Sequence, residues 1–192
     1  MEVLPFTVTQ NTTTNILITR AAGSGNSVHF KYIFFRGSPT INEYPIGTST
    51  IVGQANALGA ITLGAVSYLN TPSNGVNPPT KASFSSTGGT LMGGLPRQKP
   101  DLCAPNGGNT TVDLGGVDIE NDLLPNFFGT SAAAPHAAGA AALIMSAKMK
   151  FYGTTMSPDD IKNSLTSNAI EMYTPGFDFL SGYGLLDAFA CV

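Results

Sequence analysis

Phe128-Gly129-Thr130-Ser131-Ala132-Ala133-Ala134-Pro135-His136-Ala137-Ala138-Gly139 leads into an alanine-rich stretch that continues to Lys150. Residues 135–150 are apolar on nearly every side and free of proline after the first position, a pattern that predicts a buried helix. Ser131 stands just ahead of it. The first amides of a helix lack internal acceptors and carry partial positive charge. A serine placed there can attack a carbonyl while those amides stabilise the oxyanion that develops. Gly129 permits a tight approach to the helix, and Pro135 suits a first turn, where a missing N–H costs nothing. Ala137, Ala138, Gly139 and Ala140 keep the helix slim for close neighbours. Taken alone, a serine before such a helix is also an ordinary N-cap.

Working outward, residues 157–168 predict a second helix, with Ser157 as N-cap, Pro158 at the first position, and Asp159 and Asp160 in the first turn. A third short helix is expected over 185–190. Upstream, residues 60–68 read as a buried strand through Ile61, Leu63, Ala65 and Val66, and residues 54–60 as a short helical turn. Short strands are expected at 84–86 and at 99–104, the latter ending at Pro105. Residues 106–126 form a Gly- and Asp-rich loop. The first part is expected to be β-rich, with strand-like runs at 5–9, 15–21 and 28–35 and a hairpin loop at Gly23-Ser24-Gly25-Asn26. The organisation expected is a β-rich segment over 1–54, an insertion within the same domain, and an α/β remainder over 55–192.

Composition narrows the function classes. With 192 residues the chain can bury a core. Its 42% hydrophobic content is incompatible with a disordered polyelectrolyte. Net charge is −3 and no basic run stands out, which argues against a nucleic-acid surface. The longest apolar stretch, 137–145, is about half the roughly 20 residues of a membrane span. Met1 to Gln10 shows no basic and apolar leader. The low charge and the abundance of Ser, Thr, Asn and Gly suit a secreted enzyme. Cys103 and Cys191 are too few for a disulfide framework, and Cys103, in a core strand, reads as a packed small residue. Asn11-Thr12-Thr13 and Asn109-Thr110-Thr111 match the glycosylation pattern.

The serine segment, as Gly129-Thr130-Ser131-x-Ala133-x-Pro135-His136-x-Ala138-Gly139, resembles the serine signature of the subtilisin-like proteases, the subtilases. Four other segments resemble that family in order. Residues 56–66 are similar to its "ITVGA" strand, and Phe84-Ser85-Ser86-x-Gly88 to "FSSxG". Lys99-Pro100-Asp101-Leu102-x-Ala104-Pro105 is similar to "KPDxxAPG", with Asn106 where the pattern has glycine. Gly182-Tyr183-Gly184-Leu185-Leu186-Asp187-Ala188 is similar to "GxGxvdA". The motif-level resemblance covers 55–190. It implies the C-terminal half of a subtilisin-like three-layer α/β fold and peptide-bond hydrolysis through an acyl-enzyme on Ser131.

A serine hydrolase also needs a base and a carboxylate that orients it. In the family these precede the serine by roughly 160 and 190 residues, whereas 130 residues precede Ser131. His136 belongs to the signature itself, where the resemblance implies a structural role. His29 lies in a strand-like run without the family's "HGT" surroundings. Asp113-Leu114-Gly115 reads as a loop turn. For the oxyanion asparagine, Ala21-Ala22-Gly23-Ser24-Gly25-Asn26 offers Asn26 as one reading and a plain hairpin as the other. Calcium is implied only by the resemblance. Asp118, Glu120 and Asp122 match no ligand set and read as a solvated acidic loop. The sequence thus points to an incomplete catalytic domain, inactive by itself, completed by an N-terminal protease segment or by self-association that covers its exposed core. A non-catalytic interaction module on the same scaffold, or an inactive remnant, is the other reading.

Overall fold

The computed structural model describes residues 4–19, 22, 23, 25, 31–34, 39–43, 47–113 and 115–192. The chain divides into two compact units, Met1–Ser38 and Pro39–Val192. Among its described residues the second unit carries four strands, β1 (Leu63–Ser67), β2 (Leu91–Met92), β3 (Leu95–Pro96) and β4 (Leu102–Asn106). Two α-helices follow, α1 (Thr130–Tyr152) and α2 (Pro158–Ser167).

β1 and β4 form a parallel pair, Leu63 beside Leu102 through Ser67 beside Asn106. Their apolar middles are buried on both faces, which is why both read as continuous apolar runs rather than alternating ones. The C-terminal segment covers the far edge of β4. Cys103 N–H donates to Gly184 O at 2.7 Å and Leu186 N–H donates to Cys103 O at 2.8 Å. On the other edge of β1 a loop replaces a strand. Ala82 N–H donates to Ala65 O, and the Ser85 hydroxyl accepts from Ala65 N–H.

That loop corrects one expectation. Residues 84–86 are not a strand, because Ser85 satisfies β1 with its side chain. The 99–104 strand is displaced to Leu102–Asn106, since Lys99 and Asp101 are held by side-chain contacts before the ladder begins. The expected helix at 185–190 is absent. Leu185 bridges both Cys103 and Ile170, and Asp187 accepts from Phe189 and Ala190 N–H in a local turn. Six residues offer little helix to offset those partners. The turn expected at 54–60 is a short 3₁₀ helix, Gly53–Asn56.

The β-rich beginning is not met by the described residues. No strand occurs among 4–19 and 31–34, and Leu4, Phe6, Val8, Ile16, Leu17 and Ile18 are exposed. A β-former gains its strand through a paired ladder and a covered face, and those side chains are half or more exposed. The hairpin expected at 23–26 lies largely outside the described residues.

α1 packs on β1 and β4 through Ala133, Ala137, Ala140 and Ile144, which meet Ala65, Leu102 and Ala104 in the core. Alanine lets the helix approach the sheet closely, and Ile144 and Leu165 of α2 supply the volume. Burial of either side chain contributes about 1.5–3 kcal/mol. The sequence predicts a helix buried all round. Instead Ala134, Ala138, Ala142, Leu143, Met145 and Met149 face solvent. The helix also begins five residues before Pro135, so that proline sits inside the second turn and the Ser131 carbonyl has no N–H to accept there. Among the described residues, no helix is long and apolar enough to cross a membrane.

α2 begins as the sequence predicts. The Ser157 hydroxyl accepts from Asp160 N–H, and the Asp160 carboxylate accepts from Ser157 N–H at 3.0 Å. Ser157→Ala is expected to cost about 1 kcal/mol at neutral pH, measured by urea unfolding. The hydroxyl and amide of Ser157 hold the Asp160 carboxyl below its ordinary 3.8. A lowered folded-state pKa contributes stability above the ordinary value and loses it as pH falls through the lowered one. The Ser157→Ala penalty is therefore expected to shrink in acid.

Candidate active site

Ser131 is the second residue of α1 and is exposed to solvent. The segment leading to it is strapped to the end of β4. Gly107 N–H donates to Phe127 O at 2.8 Å, and Phe127 N–H donates to Gly108 O at 3.0 Å. Asn126 Nδ2 donates to Gly107 O at 2.8 Å. Gly129 then turns the chain with φ 106°, a conformation open to glycine and strained for other residues. Its carbonyl accepts from Ala132 and Ala133 N–H, which starts the helix. The amides of Thr130 and Ser131 have no acceptor among the described residues. The arrangement is an accessible hydroxyl beside free helix-end donors, suited to attack on a carbonyl.

The described residues place no base beside it. Among the described residues no side chain hydrogen-bonds to the Ser131 hydroxyl. His136 Nδ1–H donates to Ala132 O at 2.8 Å, a bond along its own helix. His29 and Asn26 lie outside the described residues. In the Asp113 turn, Gly115 N–H donates to Asp113 Oδ1 at 2.8 Å.

The acidic loop after β4 uses its carboxylates internally. Asp118 accepts from Asp122 and Leu123 N–H, and Asp122 accepts from Leu124 N–H and Asn109 Nδ2. Glu120 accepts from Asn126 Nδ2 and from the Tyr68 hydroxyl. That last bond pushes the Tyr68 phenol up to about 12 and holds Glu120 below the usual carboxylate range. It ties the loop ahead of Ser131 to the residue after β1, a link across 52 positions that no local pattern announces. Among the described residues no group of three or more His, Cys, Asp or Glu side chains could hold a metal ion.

Cys103 is fully buried against Gly64, where an added Cβ would stand 2.6 Å from its sulfur. Burial pushes its thiol up to about 12, so it is a packing residue at neutral pH.

The sequence pattern of the subtilase family matches residues 5–184. This chain belongs to the subtilase family. The match also takes in residues 5–54, which the motifs alone leave out. Among solved structures, the chain resembles the CspB protease of Clostridium perfringens at 24% identity and TM-score 0.54. That likeness covers 72% of this chain and 27% of that one. It also resembles the prenylagaramide maturation protease PagA at 22% identity and TM-score 0.52, over 76% of this chain and 46% of that one. These identities speak for the fold. The subtilase chain therefore has a partial subtilisin-like α/β fold, with few strands and two helices, and spans less than half the length of either structure. Comparison with curated protein sequences finds no match.

Proposed function

We propose that this subtilase chain supplies the nucleophile-bearing part of a subtilisin-type serine endopeptidase. The observation that carries the reading is Ser131, exposed at the start of α1 beside free amides. In the proposed reaction its Oγ attacks the scissile carbonyl while a histidine from a segment outside this chain takes the proton. The Ser131 amide donates to the oxyanion, the amine leaves with that proton, and water releases the acyl group.

Two features favour completion by another segment. Among the described residues, none stands as a base at the Ser131 hydroxyl. The solvent side of α1 is also apolar, and beside it Pro105, Pro135, His136, Gly139, Leu143 and Leu186 line a shallow groove. An apolar face of that extent calls for cover by protein. We propose that the cover is the Asp- and His-bearing half of the catalytic domain.

A fluorophosphonate probe, with the labelled site located by mass spectrometry, tests this. The isolated chain is expected to label very slowly, because loss of a triad member costs roughly 10⁴–10⁶ in rate. Co-expression with an Asp- and His-bearing half of a subtilase catalytic domain is expected to bring rapid labelling at Ser131, abolished by Ser131→Ala. Rapid labelling of the isolated chain would place a base within it. No labelling after a stable complex forms would favour the non-catalytic module.

A further inference from the structure

β4 ends at Asn106, where the resemblance leads one to expect glycine. Its side chain is 1% exposed. Oδ1 accepts from Gly129 N–H at 3.3 Å, while Nδ2 is buried with no acceptor among the described residues. Burying an amide donor unpaired is unfavourable, and native interiors keep few such groups. Stability alone would favour glycine or an apolar residue at this position. What the asparagine gains is the contact through Oδ1.

That contact falls at a decisive place. Gly129 is held at its carbonyl by the amides of Ala132 and Ala133. Asn106 holds the other end, its N–H. With both ends held, the Phe128–Gly129 and Gly129–Thr130 peptide planes are fixed immediately ahead of Ser131. The hydrogen bonds from Gly107 and Gly108, just past β4, act earlier in the segment, at Phe127 and Asn126. Asn106 is the one described side chain that acts on the residue opening the helix.

We propose that Asn106 is a positioning residue for Ser131, fixing the N-terminal turn of α1 through the Gly129 amide. The inference rests on the reading of Ser131 as nucleophile, but its test needs no base. In the full chain carrying Ser131→Cys, the thiol reports the field at the helix start, since thiols at helix N-termini ionise below the ordinary value of about 8.5. Iodoacetamide alkylation at residue 131 is followed against pH by mass spectrometry. The midpoint is expected roughly one unit below that ordinary value. Adding Asn106→Ala or Asn106→Gly is expected to return it at least halfway. Exchange of the Gly129 amide should quicken about tenfold, while Asn106→Asp, which keeps the acceptor, retains slow exchange. Near-UV circular dichroism establishes that each variant is folded. If the aspartate variant does not fold, the alanine and glycine variants decide. An unchanged midpoint and unchanged exchange in those two would overturn the proposal, even with a lowered Tm. Failure of fluorophosphonate labelling in the completed domain would remove the protease reading and leave this result standing.

Discussion

Asp101→Asn is expected to lower stability by about 3–5 kcal/mol, the usual cost of leaving a buried charge without its partner. Lys99 is 1% exposed, and its ammonium donates to Asp101 Oδ2 at 2.6 Å and to Ala60 O at 2.5 Å. The second carboxylate oxygen, Oδ1, meets Lys162 of α2 at 2.5 Å, and Oδ2 also accepts from Thr62 N–H at 2.7 Å. One carboxylate therefore joins the approach to β1, the approach to β4, and α2. Asparagine can still accept from Thr62, but it leaves the Lys99 charge unbalanced in the interior. For a chain of this length the loss corresponds to a Tm drop of roughly 6–20 °C. Adding Lys99→Met should recover at least half of it, because an apolar replacement of the buried charge removes the main penalty. Urea unfolding of the single and double variants measures both effects. A single-variant loss under about 1 kcal/mol would mean that water reaches the pair.

Gly182→Ala is expected to be at least as damaging, on the order of 4 kcal/mol or more. Its φ is +69°, and an added Cβ would stand 2.3 Å from Asp101 O and 2.6 Å from Pro100 O. Those atoms cannot retreat freely. Asp101 O accepts from Tyr183 N–H, and Asp101 N–H donates to Thr62 O. The chain would have to peel away from β4, taking with it the bonds of Cys103 to Gly184 and Leu186. Gly176→Ala is the control, since its φ is also positive (+85°) but an added Cβ meets nothing within 4 Å. Its cost should be only the conformational one, about 1–2 kcal/mol. Hydrogen exchange at Cys103 and Leu186 should rise sharply in the Gly182 variant and stay slow in the Gly176 variant. Equal losses in the two would show that backbone conformation, not the close approach, sets the cost.

These positions mark where sequence reading reached and where it stopped. The cap of α2 was legible because Ser157, Pro158 and Asp160 act on one another within four residues. The strand at Leu63–Ser67 was legible as an apolar run. The start of α1 was misplaced, because Pro135 looks like a helix opener while the actual opener is Gly129, whose conformation depends on its contacts. Residues 185–190 have helical composition, yet Leu185 pairs with Cys103 and Ile170, and tertiary pairing overrides so short a local preference. Asn106 was visible as a departure from a motif, without any hint of what it touches.

By itself, then, the sequence determined the order of the family segments and the identity of Ser131 as the serine at a helix start, because those signals are carried by neighbouring residues. Only the tertiary structure decided that Asp101 is buried against Thr62 and Lys162, that Asn106 grips Gly129, and that one side of α1 lies open. Each of these joins or separates residues far apart in the chain, and the parallel pairing of β1 with β4 and the packing of α1 across them are what set those distances.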